Sequence, residues 1–472
     1  MRMFVGGEWI EGSRQEELCS PYSGDVIDTV PVAGVEDVER AIRVAVVGAG
    51  RQRATAAFDR QAVLRRAGDI ADDRVEDLAL TICLETGKTL AEATAEASRA
   101  GDLLRLSAFE GAQLYGDSLP LDAHRGAGLR RLGLTIHQPC GVVVAITPFN
   151  YPLLLVLHKI APALAAGNAV VLKPARQTPL TALKLVEILL EAGLAPDAIS
   201  CLTGPGGALG GALCMDSRVR KISFTGSTST GEAITRVAGV KKLSLELGAS
   251  CPVAILPDAD LELAASAVAT GGYTNAGQVC IAVQRVLVDN GVAADFIDAL
   301  VPKVAAIRTG DPMSTDTTMG SLISETEARR VESVVRVETA NGARVVVGGE
   351  RDGSVMSPTI VVDVDPASPL SQEELFGPAV AITTVPDVDT AIRLANGTRY
   401  GLGAGVFTRD VNMALRFARE VDAGSVQINW TPLWRADLMP YGGLKASGIG
   451  KEGPRWAVEE MTELKTVVFH GA

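Results

Sequence analysis

From Cys140 to Glu246 the chain repeats one pattern: a short apolar run, a turn, a helical stretch, then another apolar run. GVVVAIT precedes LLLVLHKIAPALAAG, NAVVLK precedes a helix starting near Pro179, AISCLTG precedes GALGGALC, RKISFTG precedes STSTGEAITRVA, and KKLSLEL closes the series. Strand, crossover helix and strand at this spacing predict a parallel, doubly wound sheet. Such sheets bind ligands beyond the carboxyl ends of their strands. TPFN (147–150), KPAR (173–176), GPGG (204–207) and FTGS (224–227) stand at those ends. After Gly248 the style repeats through CPVAIL, the run 281–288, ARVVVGG, VAITTV, AIRLANG, AGVFTRD and SVQINW. The fold class expected is α/β, with two doubly wound units.

The flanks read differently. Residues 1–32 are short strands and turns, and residues 35–116 carry Ala, Leu, Arg and Glu with apolar spacings of three and four, a helical pattern. Thr86-Gly87-Lys88 lacks the upstream glycine of a phosphate loop and reads as a helix end capped by Gly87. Residues 121–139 form a strand-like, partly exposed segment between turn signals. Its plain reading is a surface hairpin.

Bulk numbers narrow the function. At 472 residues two or three domains are expected. With 44 basic against 56 acidic residues the formal charge is −12, and no basic stripe invites a nucleic acid. The 7 cysteines show no CxxC spacing, so a reducing compartment is expected and a metal site is not. Neither a signal peptide nor a membrane span is legible, and the chain reads as cytoplasmic.

One cysteine stands apart by position. Cys280 closes NAGQVC (275–280), after Gly277 and before a β-rich run, so a rigid strand aims its thiol. In LELGAS (245–250), Glu246 lies beside a glycine that permits close backbone approach, and its carboxylate suits a base for water or thiol. On local sequence alone each has a plainer alternative: a small buried hydrophobe and a loop carboxylate. With only 4 histidines and none in a nucleophile motif, a Ser-His-Asp hydrolase has little support.

NAGQVC, LELGAS, TPFNYP, VLKPA, FTGS, EELFGP and PYGGLKASGIGKEG together resemble the motif series of the aldehyde dehydrogenase superfamily, in that family's order and across most of the chain. The branch it looks like is that of lactaldehyde and non-phosphorylating glyceraldehyde-3-phosphate dehydrogenases. The resemblance implies a cofactor domain over 1–120 and 140–248, a catalytic domain over 249–455, and an oligomerisation arm from 121–139 and 456–472. A homo-oligomer, dimer or tetramer, is implied with it.

By that resemblance Cys280 is the nucleophile, Glu246 the general base for thioester hydrolysis, and Asn150 an oxyanion donor, with the Cys280 backbone N–H as a second. Asn150 is otherwise a turn former within PFNYP. The cofactor is a nicotinamide dinucleotide, held although no GxGxxG appears. Its candidate contacts are Thr147, Pro148, Phe149, Lys173, Ala175, Arg176, Gly206, Gly226, Ser227, Leu247, Glu374 and Phe376. Read without the family, Lys173 is a solvated strand end and 376–378 a structural turn. Many NAD-preferring relatives have glutamate three residues after the lysine, where this chain has Arg176. A guanidinium pairs with a 2′-phosphate, so NADP is the expected cofactor, with NAD as the alternative. Arg105, His158 and Arg435 are the expected substrate-pocket residues, or else helix-surface and loop ion pairs. Val279 is neutral where some phosphonate-using relatives carry arginine.

The function expected is oxidation of a small polar or anionic aldehyde to its carboxylic acid, through a hemithioacetal and a thioester on Cys280. The alternatives are a coenzyme A-acylating relative, which the presence of Glu246 disfavours, and a non-catalytic nucleotide-binding protein of the same fold.

Overall fold

The computed structural model describes residues 1–126 and 130–471. Its centre is an eight-stranded sheet in the order Glu8–Ile10, Met3–Val5, Ile199–Cys201, Ala169–Lys173, Val142–Ile146, Val219–Thr225, Lys242–Glu246, Gly448–Ile449. The five middle strands are parallel and the edge strands antiparallel. Chain order reverses between Val142–Ile146 and Val219–Thr225, so their carboxyl ends flank the crevice where such sheets take ligands.

The second sheet has seven strands, in the order Arg344–Val347, Thr359–Val362, Ala379–Val385, Val283–Asp289, Cys251–Ile255, Gly403–Phe407, Ser425–Ile428. All its pairings are parallel except that of Arg344–Val347. Each sheet buries its own apolar core. A small cluster of Ala249, Val279, Ile281, Leu402 and Tyr441, with Tyr151 and Cys280 at its edge, joins the two halves around the thiol.

Helices fill the stretch expected to be helical, from Val35–Ala54 to Ala100–Gly111. Gly87 caps Val75–Thr86 with φ of 74°, a conformation that favours glycine. The helix Leu154–Ala165 is buried on every face, His158 and Lys159 included. No helix among the described residues is long and apolar enough to cross a membrane.

A three-stranded sheet pairs Thr462–His470 with Arg131–Pro139, and the latter with Ser118–Leu119. Residues 127–129 and 472, which fall within the expected arm segments, lie outside the described residues. Gly448–Ile449 joins the first sheet, and the helix Pro454–Glu460 places Val458 in the first core. The arm strand within 456–472 is Thr462–His470, and Ser118–Leu119 pairs into the same sheet. Segments of two to seven residues carry too little periodicity to say which sheet they join.

Candidate active site

Cys280 is delivered by a loop with little freedom. Between the helix Leu261–Tyr273 and the strand Val283–Asp289, Asn275, Ala276 and Gly277 have left-handed φ of 51°, 51° and 69°. Such backbone is costly for non-glycine residues and persists only where its surroundings hold it. At Gly277 no side chain fits, because a Cβ would stand 2.2 Å from the Gly377 carbonyl oxygen. The Gln278 side chain ties the loop down, with Nε2 donating to Asn275 O (3.2 Å) and Oε1 accepting from Ile323 N (2.9 Å). Cys280 Sγ then lies 2.9 Å from Tyr441 Oη. Burial pushes the thiol up to about 12; the Tyr441 hydroxyl opposes this, and Glu374 and Glu246 add to it. The resting thiol is therefore neutral and needs a base, or a change in its surroundings, to become nucleophilic.

Asn150 stands just beyond the strand Val142–Ile146, with its side chain buried. Nδ2 donates to Gln278 O at 2.8 Å, and Oδ1 has no partner among the described residues. An amide nitrogen carries two hydrogens, so one remains for a second acceptor beside the thiol loop. Glu246 ends the strand Lys242–Glu246, and neither of its buried carboxyl oxygens has a hydrogen-bond partner among the described residues. Burial, then repulsion from Glu452, lifts its pKa well above the usual carboxylate range. Burial would raise Glu452 too, but Lys159 at 2.8 Å and Arg435 at 3.3 Å hold it at about 2. Of these two neighbours Glu452 carries the charge and Glu246 the proton.

A cavity of about 100 Å³ opens on Cys280 and Asn150, with Arg99, His158, Arg435 and Tyr441 on its polar side. Arg435 stacks over the Tyr441 ring at 3.8 Å, and its Nε is buried with no hydrogen-bond partner among the described residues. Arg435 Nη2 stands 3.4 Å from His158 Nδ1, so that nitrogen accepts and Nε2–H faces Asp437, also at 3.4 Å. Burial, then Arg435, lowers the His158 pKa and keeps the ring neutral. Burial alone would raise the Asp437 pKa, but His158 and Arg99 hold it well below the carboxylate range.

The structure thus brings His158 and Arg435 to the cavity and leaves Arg105 out. Arg105 is turned to Asp69, Asp72 and Asp102 on the outer face of its helix, at 3.2, 2.7 and 3.1 Å. The arginine at the cavity is Arg99, six positions earlier, which grips Asp437 through Nε (3.2 Å) and Nη2. Sequence reasoning also missed Tyr441, Lys159 and Glu452. Tyr441 and Glu452 lie inside PYGGLKASGIGKEG and Lys159 follows His158, so the motifs pointed to the segments but not to these partners.

The cofactor candidates gather at the crevice. Thr147, Pro148 and Phe149 follow one strand, Lys173, Ala175 and Arg176 end or follow the next, and Gly206 lies beyond a third. Gly226 and Ser227 follow Val219–Thr225, where Ser227 caps the helix Thr228–Val237 by accepting from Thr230 N. Leu247 lies just past Lys242–Glu246, buried against Gly231. Lys173 is buried, has no carboxylate partner among the described residues, and is pulled down to about 8 by that burial. From the other half, Phe376 meets Phe149 edge-to-face at 5.8 Å. Glu374 Oε1 accepts from Ala249 N at 3.0 Å, and burial raises it to about 7. A Cβ at Gly248 would stand 2.8 Å from that carboxylate, so the glycine makes room for it. An ammonium that donates to the Pro174 carbonyl at 2.7 Å but has no carboxylate partner among the described residues, a helix N-terminus and a nearly free carboxylate across one crevice suit ribose hydroxyls and a pyrophosphate. Arg176 points elsewhere: its guanidinium pairs with Glu16 of the hairpin Gln15–Cys19 and Val26–Pro31.

Residues 9–467 match the model of the aldehyde dehydrogenase family. The chain is 41% identical over 468 residues to a 3-sulfolactaldehyde dehydrogenase of Priestia megaterium, covering 99% of this chain and 98% of that one. It is 37% identical over 472 residues to a lactaldehyde dehydrogenase of Methanococcus aeolicus, covering 99% and 100%. Among solved structures it superposes with TM-score 0.98 on an NADP-dependent glyceraldehyde-3-phosphate dehydrogenase from Bacillus halodurans complexed with NADP, at 34% identity and covering 100% and 99%.

Proposed function

The chain belongs to the aldehyde dehydrogenase family, and on that premise we propose that its substrate is a three-carbon 2-hydroxyaldehyde bearing an anionic group, such as a sulfonate. The enzyme takes an aldehyde to its carboxylic acid with a nicotinamide cofactor. Cys280 Sγ, once its proton has passed to solvent, adds as the thiolate to the aldehyde carbon, and the oxyanion so formed is stabilised by Asn150 Nδ2 and the Cys280 backbone N–H. One such donor is worth roughly 3–4 kcal/mol. The nicotinamide, when bound, supplies the hydride acceptor. Glu246 then deprotonates the water that hydrolyses the thioester on Cys280, a task suited to a carboxylate whose proton affinity is raised. Lys173, Gly226, Ser227, Glu374 and Phe376 hold the cofactor.

The observation that carries the substrate reading is the buried Nε–H of Arg435, which has no partner in the cavity lining. A buried donor without an acceptor is rare and costly. Around it three cations, Arg99, Lys159 and Arg435, face two ionised carboxylates, Asp437 and Glu452, while Glu246 keeps its proton, an imbalance that one substrate anion corrects. By name, one relative acts on 3-sulfolactaldehyde, which has both the 2-hydroxyl and the anion, and the other on lactaldehyde, which has the 2-hydroxyl alone. A cavity of about 100 Å³ favours a small aldehyde over a long alkyl chain.

The test is kcat/KM across 3-sulfolactaldehyde, lactaldehyde, glyceraldehyde 3-phosphate, succinic semialdehyde and hexanal, each with NAD and NADP. An anionic 2-hydroxyaldehyde should exceed hexanal by roughly ten- to a hundredfold, the cost of leaving a buried cation unmatched. Hexanal in first place overturns the reading. Arg176, three residues beyond Lys173, favours NADP by offering its 2′-phosphate a charge-assisted bond of about 1.5–3 kcal/mol. Arg176→Glu should move the preference toward NAD, and an unchanged ratio removes Arg176 from cofactor choice. The exposed arm sheet is proposed to join copies of the chain into a homo-oligomer.

A further inference from the structure

The helix Leu90–Ala97 lines neither the cavity nor the strand ends of the cofactor crevice, yet it reaches both loops of the active site. Glu92 Oε1 accepts from Asn275 N at 2.6 Å, where the left-handed run before Cys280 begins. Its other oxygen accepts from Thr89 N and Oγ1, at 3.2 and 2.9 Å, which seats the helix start. One turn later and on the same face, Glu96 Oε1 accepts from Leu153 N and Leu154 N, at 3.0 and 3.1 Å, just after Asn150. Glu96 Oε2 accepts from Lys88 Nζ at 2.7 Å, and the same ammonium donates to the Asn150 carbonyl at 2.7 Å. Asn275 Nδ2 closes the circuit by donating to that carbonyl at 3.2 Å.

The Lys88 and Glu96 side chains are both fully buried, at 0% exposure. A buried ion pair adds little net stability, since lost hydration offsets much of the attraction. Its place here is better explained by what it holds: backbone groups of the loop that carries Asn150. A buried ammonium with two protein oxygens and the Tyr151 ring, 4.0 Å away, around it has no face left for a phosphate.

We infer that Lys88, Glu92 and Glu96 are positioning residues that set Asn150 against Cys280. Two carboxylates on one rigid helix turn hold the oxyanion-donor loop and the nucleophile loop in fixed relation, with Lys88 as the clamp on Asn150. The inference rests on the reading of Asn150 as an oxyanion donor. A misplacement of about 1 Å at such a donor costs on the order of a hundredfold in rate.

The test is the first-turnover rate of cofactor reduction in Lys88→Met/Glu96→Gln, which removes both charges together, made in wild type and in Asn150→Ala. In wild type the rate should fall about 10- to 100-fold. The cofactor Kd and the rate of iodoacetamide alkylation at Cys280, read by mass spectrometry, should stay within about threefold, because neither uses the oxyanion donor. In Asn150→Ala the same pair should cost less than about twofold, since nothing remains to position. Glu92→Ala, which removes only a half-buried side chain, should show the same non-additivity and carries the test if the double variant does not fold. Equal losses in both backgrounds, no loss in wild type, or a parallel loss of alkylation and cofactor binding overturn the inference. If Asn150→Ala alone leaves the rate unaltered, the oxyanion reading itself falls; if Asn150→Ala is slow but the losses add, only the brace falls.

Discussion

The two groups proposed for the chemistry start in unreactive states: a thiol pushed up to about 12 and a carboxyl that keeps its proton in a pocket shared with Glu452. Cys280→Ser should abolish aldehyde oxidation with cofactor binding retained, because a hydroxyl is a far weaker nucleophile without an activating base. Turnover near that of wild type would remove Cys280 from the mechanism. For Glu246 the sign of the pH effect follows from its raised pKa. A base works only when ionised, so thioester hydrolysis should be slow below that pKa and rise as the proton is lost on going alkaline. Glu246→Gln should remove this limb, slow hydrolysis more than the first turnover, and so reveal or enlarge a burst of reduced cofactor. Equal slowing of both steps would assign Glu246 to something other than hydrolysis.

At the scale of elements, what the sequence made legible were the strand ends. Apolar runs bounded by turns placed Thr147, Lys173, Gly226 and Glu246 at the ends of parallel strands, because buried strands leave a continuous signature and their ends a break in it. Side-chain direction had no such signature. Arg99 and Arg105 lie six positions apart near one helix, and only the packing of Ala57–Asp73 against it turns Arg105 outward to Asp72. Lys159 and Glu452, 293 residues apart, were invisible as a pair for the same reason. Arg176 was found by its distance from Lys173, but its partner Glu16 comes from a hairpin whose docking no local pattern encodes. That hairpin gives a prediction. An exposed ion pair is worth about 0.2–1 kcal/mol, less than a charge-assisted bond to phosphate. Glu16→Gln should therefore raise the NADP-to-NAD affinity ratio by at most about fivefold, measured by titrating each cofactor against both proteins. A ratio unchanged within error would mean that Glu16 does not compete for Arg176.

Across the whole molecule, the arm sheet carries an apolar face that the other described residues leave uncovered. Alternation along Arg131–Pro139 puts Leu132, Leu134 and Ile136 on one side, and the antiparallel register sets Phe469 and Val467 opposite the first two. Leu132, Ile136 and Phe469 remain 49%, 42% and 52% exposed. The other side of the same strand, at Gly133 and Thr135, is buried. A two-sided sheet with one wet apolar face is unfavourable for an isolated chain, since covering each such side chain is worth about 1.5–3 kcal/mol. A second copy presenting the same stripe satisfies it, as a symmetric contact does with one patch used twice. Leu132→Asp/Phe469→Asp places charges at directly opposed positions, where the cost falls on assembly and not on either core. Sedimentation velocity should then show a smaller species than wild type at equal concentration, while Cys280 alkylation at a fixed pH keeps its wild-type rate. An unchanged sedimentation coefficient would show that this face is not what holds copies together, and a wild type that is itself monomeric would remove the oligomer from the proposal altogether.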